Sequence, residues 1–420
     1  MKVTVPIVDI VLSLSEAIDS ISPAIYAHQK QVAYISYYIS SALNFSPSKK
    51  KEVLIAGALY DIGALSINEK KSMLNFEYQD KKNGHSEKGY MLLSLYKPFL
   101  NVAKYVRYHH VSWKYGHAVS SFEEKIPFES YILNLSDRIS ILINPEENIL
   151  LQAEKIRKRI YQLSGEAFNP DVVDAFMEVS KKESFWFDIR YNNFYSELEN
   201  IDDYDVLSEN DLSELIKLFS RMIDFRSKFT YSHSSGVAAS SKTLAKIMGF
   251  SEKDCTIMEL AGYVHDLGKI AVPIEILEKQ GKLTEKEYDI VKIHPYYTDK
   301  ILKKVKAFDT IREWGALHHE RLDGNGYPFH LKGDQISLGS RIMSVADVFT
   351  ALKEDRSYRK GMDRKKTMGI IEDMSGSALD KNVVKKLKEN YDIVNNERIK
   401  AQNITREEYK KISNDYDTEG

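Results

Sequence analysis

The 420-residue chain contains one cysteine, Cys255, which excludes an intramolecular disulfide and any cysteine-based zinc site or iron–sulfur cluster, and fits a reducing interior. No charge of one sign dominates. Lys plus Arg number 59 and Asp plus Glu 61, for a formal net charge of −2, so there is no global basic field to hold a nucleic-acid polymer or an anionic membrane. A small anionic ligand stays open. Runs of about 18 uncharged apolar residues are missing, because the apolar opening MKVTVPIVDIVLSL is short and carries Asp9. The expectation is a soluble, cytoplasmic protein with no membrane partner. Low-complexity tracts are absent as well, and the polar end SNDYDTEG is expected to fray. What remains is 43% apolar and 29% charged. At about 100 to 200 residues per domain, that composition supports two or three folded domains.

The chain repeats itself, and this decides how many times a site can have been built. SEAIDSISPAIYAH, ending at His28, resembles SRMIDFRSKFTYSH, ending at His233. His28 to Asp61 spans the same 33 residues as His233 to Asp266, and His85 to His109 the same 24 as His294 to His318. Both pairs continue as His-His, at His110 and His319. An acid follows in each copy, at Asp137 and Asp347, and SGEAFNPDVV from Ser164 answers SGSALDKNVV from Ser375. Between the copies, ELENIDDYDVLSEND carries acids without compensating bases, which suits a linker or an exposed helix start. The boundary is therefore set near residue 200, giving domains 1–200 and 201–420.

Local signals are helical. Thr284 with Glu287 reads as a capping box, Ser46 with Pro47 as N-cap and first helical residue, and Gly249 as the stop of VAASSKTLAKIM. Val237, Leu244, Ile247 and Met248 approximate a 3.6-residue stripe, and few stretches alternate with period two. The predicted architecture is all-α, one helical bundle per half, with the His and Asp anchors facing the bundle interior.

Nine of the 11 His occupy the repeated anchors: His28, His85, His109 and His110 in the first copy, and His233, His265, His294, His318 and His319 in the second. A lone His on an apolar face is more often a satisfied core residue than a ligand. Nine in register reverse that balance, because burying several imidazoles beside Asp266 and Asp347 is costly without a partner that satisfies them all, and a divalent metal is such a partner. Nitrogen and oxygen donors without thiolate point to Fe, Mn, Ni or catalytic Zn. Five His and two Asp are too many for one ion and suffice for two, about 3.5 to 4 Å apart, an arrangement suited to phosphoester hydrolysis.

The second copy reads YSH at His233, HDLGKI from His265, His294, HHERLDGNGYP from His318, VADVFTAL around Asp347 and DRSYR from Asp355. Over roughly residues 208 to 395 it resembles the HD-GYP family, a branch of the HD phosphohydrolase superfamily acting on cyclic dinucleotides, chiefly cyclic di-GMP. An HD dipeptide alone says little; HHExxDGxGYP after HDxGK is specific. The resemblance implies that His233, His265 and Asp347 hold one metal, that His294, His318 and His319 hold the other, and that Asp266 bridges them. The two divalent ions would be Fe or Mn.

Asp266 and Lys269 would be the catalytic residues, with Lys269 three positions on and able to reach a phosphate or the departing sugar oxygen; its plain alternative is a solvated surface lysine. Gly326, Tyr327 and Pro328 would meet the substrate, against an ordinary loop stop. Arg356 and Arg359 would grip a phosphate, against an exposed basic helix face. Glu320 and Asp323 read better as loop-shaping residues than as ligands.

Two departures bear on this. Phe229 stands where some family members carry a glutamate for a third metal, so two metals are expected, and Thr350 replaces the usual Asp after VADVF.

The first copy is damaged. Its HD is Tyr60-Asp61, Ala64 matches Lys269, and VSWKYGHAVSS after His110 holds no GYP. Asp61, His85, His109 and His110 could still hold one metal, and the first copy is expected to be catalytically silent, a structural or regulatory partner. The function expected is hydrolysis of cyclic di-GMP to pGpG, and onward to GMP. Its rivals are a cyclic-dinucleotide receptor that does not hydrolyse, or an HD phosphohydrolase for another nucleotide such as cyclic GMP-AMP. A homodimer stays open.

Overall fold

The structure, a computed structural model, describes residues 3–20, 28–64, 76, 84–114, 125–191, 193, 204–224, 231–355 and 360–417. By the density of internal contacts the chain divides into two compact units, Pro6–Asp205, and Met1–Val5 with Val206–Gly420. Both are helical. The first runs α1 (Ile7–Asp19), α2 (His28–Ala42), α3 (Pro47–Leu59), α4 (His85–Ser94), α5 (Leu100–Arg107), α6 (Phe128–Leu142), α7 (Ile149–Gln162), α8 (Pro170–Val179) and α9 (Glu183–Tyr191). The second runs α10 (Glu209–Asp224), α11 (His233–Ile247), α12 (Glu252–Val264), α13 (Glu285–Val291), α14 (Ile293–Leu302), α15 (Asp309–Ala316), α16 (Leu338–Lys353), α17 (Arg364–Asp373), α18 (Lys381–Glu389) and α19 (Tyr391–Asp417).

The repeat seen in the sequence is a repeat of structure. α2, α3, α4, α5 and α6 recur in order as α11, α12, α14, α15 and α16, and α8 and α18 are introduced by the same device. Ser164 bridges to Phe168 and Ser375 to Leu379. Asn169 then caps α8 by accepting from the backbone N–H of Asp171 and Val172, as Asp380 caps α18 by accepting from Asn382 and Val383. Each cap satisfies donors that a helix start leaves orphaned, stabilising by about 1 kcal/mol. Ser46 caps α3 with Pro47 at the first helical position, and Thr284 and Glu287 form the expected reciprocal capping box.

In the second unit α11 packs against α12, α16 and α19, and buries Val237, Ala238, Leu244 and Ala245 among Met258, Ala261, Val345 and Phe349. Ile247 and Met248, assigned to the same stripe, are half-buried. Among the described residues a two-stranded sheet pairs β1 (Val3–Pro6) with β2 (Tyr204–Leu207). The acidic stretch read as linker or helix start thus contributes a strand. Val3 and Val5 are buried while Thr4 is exposed, the alternation a half-covered strand requires. Among the described residues no helix is long and apolar enough to cross a membrane. α1 is buried on nearly every face, as a core helix that is apolar all round must be.

Candidate metal centre

Helix ends deliver the site. His233 opens α11, His265 follows the last residue of α12, His294 lies in the first turn of α14, and His318 and His319 follow α15 after Leu317; Asp347 sits inside α16. Asp266 starts the tight turn Leu267–Ala271, and that turn explains the glycine of HDLGK. A Cβ on Gly268 would lie 1.9 Å from the carbonyl oxygen of His294 and 2.7 Å from Thr298 N. Only glycine lets the Asp266 turn press onto α14. The Thr298 hydroxyl clips the contact, accepting from Gly268 N at 2.9 Å and donating to the His265 carbonyl at 3.1 Å.

The imidazoles are aimed. His265, His294 and His318 each point Nδ1 at a backbone carbonyl one turn earlier, Gly262 at 2.8 Å, Val291 at 2.7 Å and Gly315 at 2.6 Å. A carbonyl can only accept, so Nδ1 carries the proton and each Nε2 turns a lone pair inward. His294 Nε2 and His318 Nε2 then face each other at 3.3 Å. Asp266 stands between two groups. Its Oδ1 lies 3.3 Å from His294 Nε2 and 3.8 Å from His318 Nε2, and its Oδ2 lies 3.2 Å from His265 Nε2 and 3.8 Å from His233 Nε2. Asp347 Oδ1 is 3.2 Å from His233 Nε2 and 3.8 Å from His265 Nε2. The ligand atoms of His233, His265 and Asp347 lie within 4.8 Å of one another, as do those of His294, His318 and His319, and those of His265, Asp266 and His318.

Lone pairs facing lone pairs in a buried space need a cation. His265 Nε2 and Asp266 Oδ1 are buried with no hydrogen-bond partner, a costly state unless something positive lies between them. The protonation states agree. Burial lowers His294 to about 3 and His318 to about 4, and burial beside His318 holds His319 well below its usual range. Burial alone would raise Asp266, yet the His265 ring and the Lys269 ammonium hold it well below the usual carboxylate range; Asp347 is likewise held down against burial by its bond to His233 and the neighbouring rings. Neutral His294, His318 and His319 beside ionised Asp266 and Asp347 are a donor set for divalent cations, and these residues fit such ions.

An outer layer went unseen in the sequence. Glu354, buried just past the end of α16, accepts from His233 Nδ1 at 2.8 Å. Its other oxygen accepts from Gln402 Nε2 at 2.5 Å, and Gln402 Oε1 accepts from Arg398 at 2.5 Å. This is the carboxylate that orients a ligating imidazole. Its signal was present, since Glu354 follows Asp347 by two helical turns. Gln402 and Arg398 come from α19.

The remaining predicted residues divide. Lys269 is brought to the centre, its Nζ 2.5 Å from Asp266 Oδ2, with 19% of the side chain exposed. Tyr327 stacks on His319, ring centroids 4.9 Å apart at 28°, and meets Tyr288 edge-on at 6.2 Å. Pro328, next to it, is half-buried. Gly326, assigned to the substrate, is buried, and a Cβ there would lie 2.4 Å from Arg321 N and 2.5 Å from Glu320 Cα. Its role in the fold is to let the GYP turn close on the backbone behind His319. Glu320 and Asp323 shape that loop. Glu320 accepts from the N–H of Phe329 and Leu331, and Asp323 from Asn325 N and Arg321. Thr350 is buried, its hydroxyl 3.3 Å from Ser240 Oγ. Arg356 and Arg359 lie outside the described residues, as does Phe229.

A cavity of about 590 Å³, lined by Arg221, Asp224, Lys242, Tyr263 and Glu408 among others, holds none of the His anchors. Two of its cations are spent on neighbours, Lys242 on Glu259 and Arg221 on Glu408.

The family described as HD domain matches residues 13–150 and again 217–383. The 3'3'-cGAMP-specific phosphodiesterase 1 of Vibrio cholerae serotype O1 is 30% identical over 368 residues, covering 85% of both chains. The cyclic di-GMP phosphodiesterase PA4108 of Pseudomonas aeruginosa is 38% identical over 150 residues, 36% of each chain. Among solved structures, the cyclic GMP-AMP-specific phosphodiesterase V-cGAP3 of V. cholerae shares the fold, with a TM-score of 0.65 and 23% identity over 93% of this chain and 98% of that one.

Proposed function

The chain belongs to the HD domain family, and from that premise we propose that its C-terminal half, residues 201–420, is a divalent-metal phosphodiesterase that opens a cyclic dinucleotide. One observation carries the reading: two sets of ring nitrogens converge on a single carboxylate, Asp266. His233, His265 and Asp347 would hold one ion and His294, His318 and His319 the other, with one oxygen of Asp266 offered to each set. Nitrogen and oxygen donors without thiolate suit Fe, Mn, Ni or catalytic Zn, and the family resemblance favours Fe or Mn among them. Bound divalent ions supply charge neutralisation at the phosphoryl oxygens and acidify water.

The chain's own residues do the rest. Lys269 Nζ, held beside Asp266, donates to a non-bridging phosphate oxygen or to the departing ribose 3′-oxygen. Tyr327, packed on His319 and flanked by the exposed Tyr288, offers an aromatic surface on which a base can stack. Arg356 and Arg359 supply a phosphate grip. Glu354 holds the His233 ring in the orientation its ligand role needs.

The similarity to a 3'3'-cGAMP-specific enzyme, over 85% of both chains, favours that nucleotide as substrate. Cyclic di-GMP, cleaved to pGpG and onward to GMP, is the second reading, supported by the higher identity to PA4108 over a shorter span. Incubating Fe(II)- or Mn(II)-loaded protein with each nucleotide and separating the products by chromatography tests both. Linear dinucleotide is expected from at least one. Tight binding of both nucleotides with no linear product would overturn the reading in favour of a receptor.

A further inference from the structure

The N-terminal unit carries a second His cluster, and its two halves have diverged in opposite directions. In one half the polar groups contact one another with no cation between them. Tyr60, which stands where the second copy has His265, puts its hydroxyl 2.8 Å from His28 Nε2 and 3.0 Å from Asp137 Oδ1. The Ser140 hydroxyl donates to Gln31 Oε1 at 2.7 Å and lies 2.8 Å from His28 Nδ1. It therefore accepts from His28 Nδ1, while the single Tyr60 proton goes to Asp137 Oδ1 and His28 Nε2 lies 3.2 Å from that same oxygen. Arg138, which replaces Val348 of the second copy, pairs with Asp137 Oδ2 at 2.8 Å and donates to the Phe76 carbonyl at 3.1 Å. A phenol and a guanidinium thus occupy the position of a cation and its ligand.

The other half reproduces the C-terminal centre distance for distance. His85 Nε2 to His109 Nε2 is 3.4 Å, against 3.3 Å for His294 to His318. Asp61 Oδ1 stands 3.2 Å from His85 Nε2 and 3.8 Å from His109 Nε2, against 3.3 Å and 3.8 Å for Asp266. The ring centroids of His109 and His110 are 4.0 Å apart, as are those of His318 and His319. His109 Nδ1 donates to the Val106 carbonyl at 2.6 Å, so its Nε2 presents a lone pair to the cluster. Asp61 Oδ1 is buried with no hydrogen-bond partner. Even the close approach that seats the aspartate is kept, for a Cβ on Gly63 would lie 2.1 Å from the His85 carbonyl oxygen, as one on Gly268 would collide with His294.

We infer that the N-terminal unit binds one divalent transition-metal ion through Asp61, His85, His109 and His110, and that Tyr60 with Arg138 fills the neighbouring position so that a second ion does not enter. Coordination through Nε2 leaves the His110 proton on Nδ1. The 3.4 Å contact from Arg138 to that atom is then given up, while the guanidinium keeps Asp137 and the Phe76 carbonyl. Without Tyr60's counterpart imidazole and without a lysine at Ala64, this ion is a fixed structural or regulatory cation.

The test is the metal content of the full chain, saturated with Mn(II), freed of excess metal and measured by plasma mass spectrometry. Three ions per chain are expected. His294→Ala/His318→Ala/Asp347→Ala should leave one, and in that background His85→Ala/His109→Ala should leave none. Retention of no ion by the C-terminal variant would overturn the inference without altering any of the four N-terminal ligands. Tyr60→His/Arg138→Val should raise the wild-type count by one, and an unchanged count would overturn the assignment of the plug. A failed C-terminal centre gives a different pattern, a single ion in wild type that the C-terminal substitutions do not remove.

Discussion

Replacing Glu354 by glutamine keeps the size of the side chain and removes its charge, which makes it the most informative single change in the outer layer. The polarity of the network is fixed from its far end. Arg398 can only donate, so the oxygen of Gln402 faces Arg398 and its NH2 faces Glu354. The His233 Nδ1 proton reaches the other oxygen of Glu354. Both oxygens of Glu354 must therefore accept. A glutamine has one oxygen and one NH2, and either orientation sets a donor against a donor, a loss of about 1–3 kcal/mol in a buried site. If the amide turns its NH2 toward His233, the ring is pressed toward the wrong tautomer and Nε2 loses its lone pair. Outer carboxylates of this kind are worth about 10- to 100-fold in metal affinity, or about 1.4 to 2.7 kcal/mol. Titrating the full chain with Mn(II) against a fluorescent chelator should show one ion of the C-terminal centre weakened by that factor in Glu354→Gln, and by less in Gln402→Ala. An affinity within twofold of wild type, in a variant with an unchanged melting temperature, would refute the argument.

Lys269→Met should lower kcat by about 100- to 1000-fold with the metal count unchanged, read by steady-state turnover together with elemental analysis. Gly326→Ala should destabilise the C-terminal unit by about 1–3 kcal/mol through overpacking, because its Cβ meets backbone at 2.4 Å; a thermal melt reads this. Asp224 is buried, and desolvation pushes its carboxyl up to about 7 from 3.8. Between those pH values the folded chain keeps a proton that the unfolded chain has lost, so stability falls as pH rises from about 4 to 7 and then levels, by at most about 4 kcal/mol. Asp224→Asn should therefore gain melting temperature relative to wild type at pH 8 and little at pH 4, and parallel pH profiles of the two proteins would contradict the linkage.

Much of this was legible before any coordinates, because the fold is built twice and the eye can compare copies. The spacings from His28 to Asp61 and from His233 to Asp266 are the length of one helix pair with its connections, and the chain preserves that length when other residues drift. Helix caps were readable for the same reason that they work: Ser46, Thr284 and Glu287 act within one turn of themselves.

What the sequence hid were contacts between distant segments. Glu354 reaches His233 across two helices, and Gln402 and Arg398 belong to α19, whose counterpart α9 ends at Tyr191, so no repeat pointed to them. Gly326 reads only as part of a ligand loop, and the room its missing side chain makes for the backbone behind His319 is a contact the sequence does not show. Tyr60 read as a lost ligand, and the contacts of its hydroxyl with His28 and Asp137 were not visible in the sequence. The strand Tyr204–Leu207 was masked by its acids, and its pairing with Val3–Pro6 joins residues some 200 positions apart.

The central claim is that Asp266 lies between two cations. Diffraction from crystals of the Mn(II)-loaded chain, collected at the manganese absorption edge, examines it without any assay of activity. The account predicts two anomalous peaks in the C-terminal unit, one toward His233, His265 and Asp347 and one toward His294, His318 and His319. A single peak, or peaks remote from Asp266 in fully loaded protein, would contradict it.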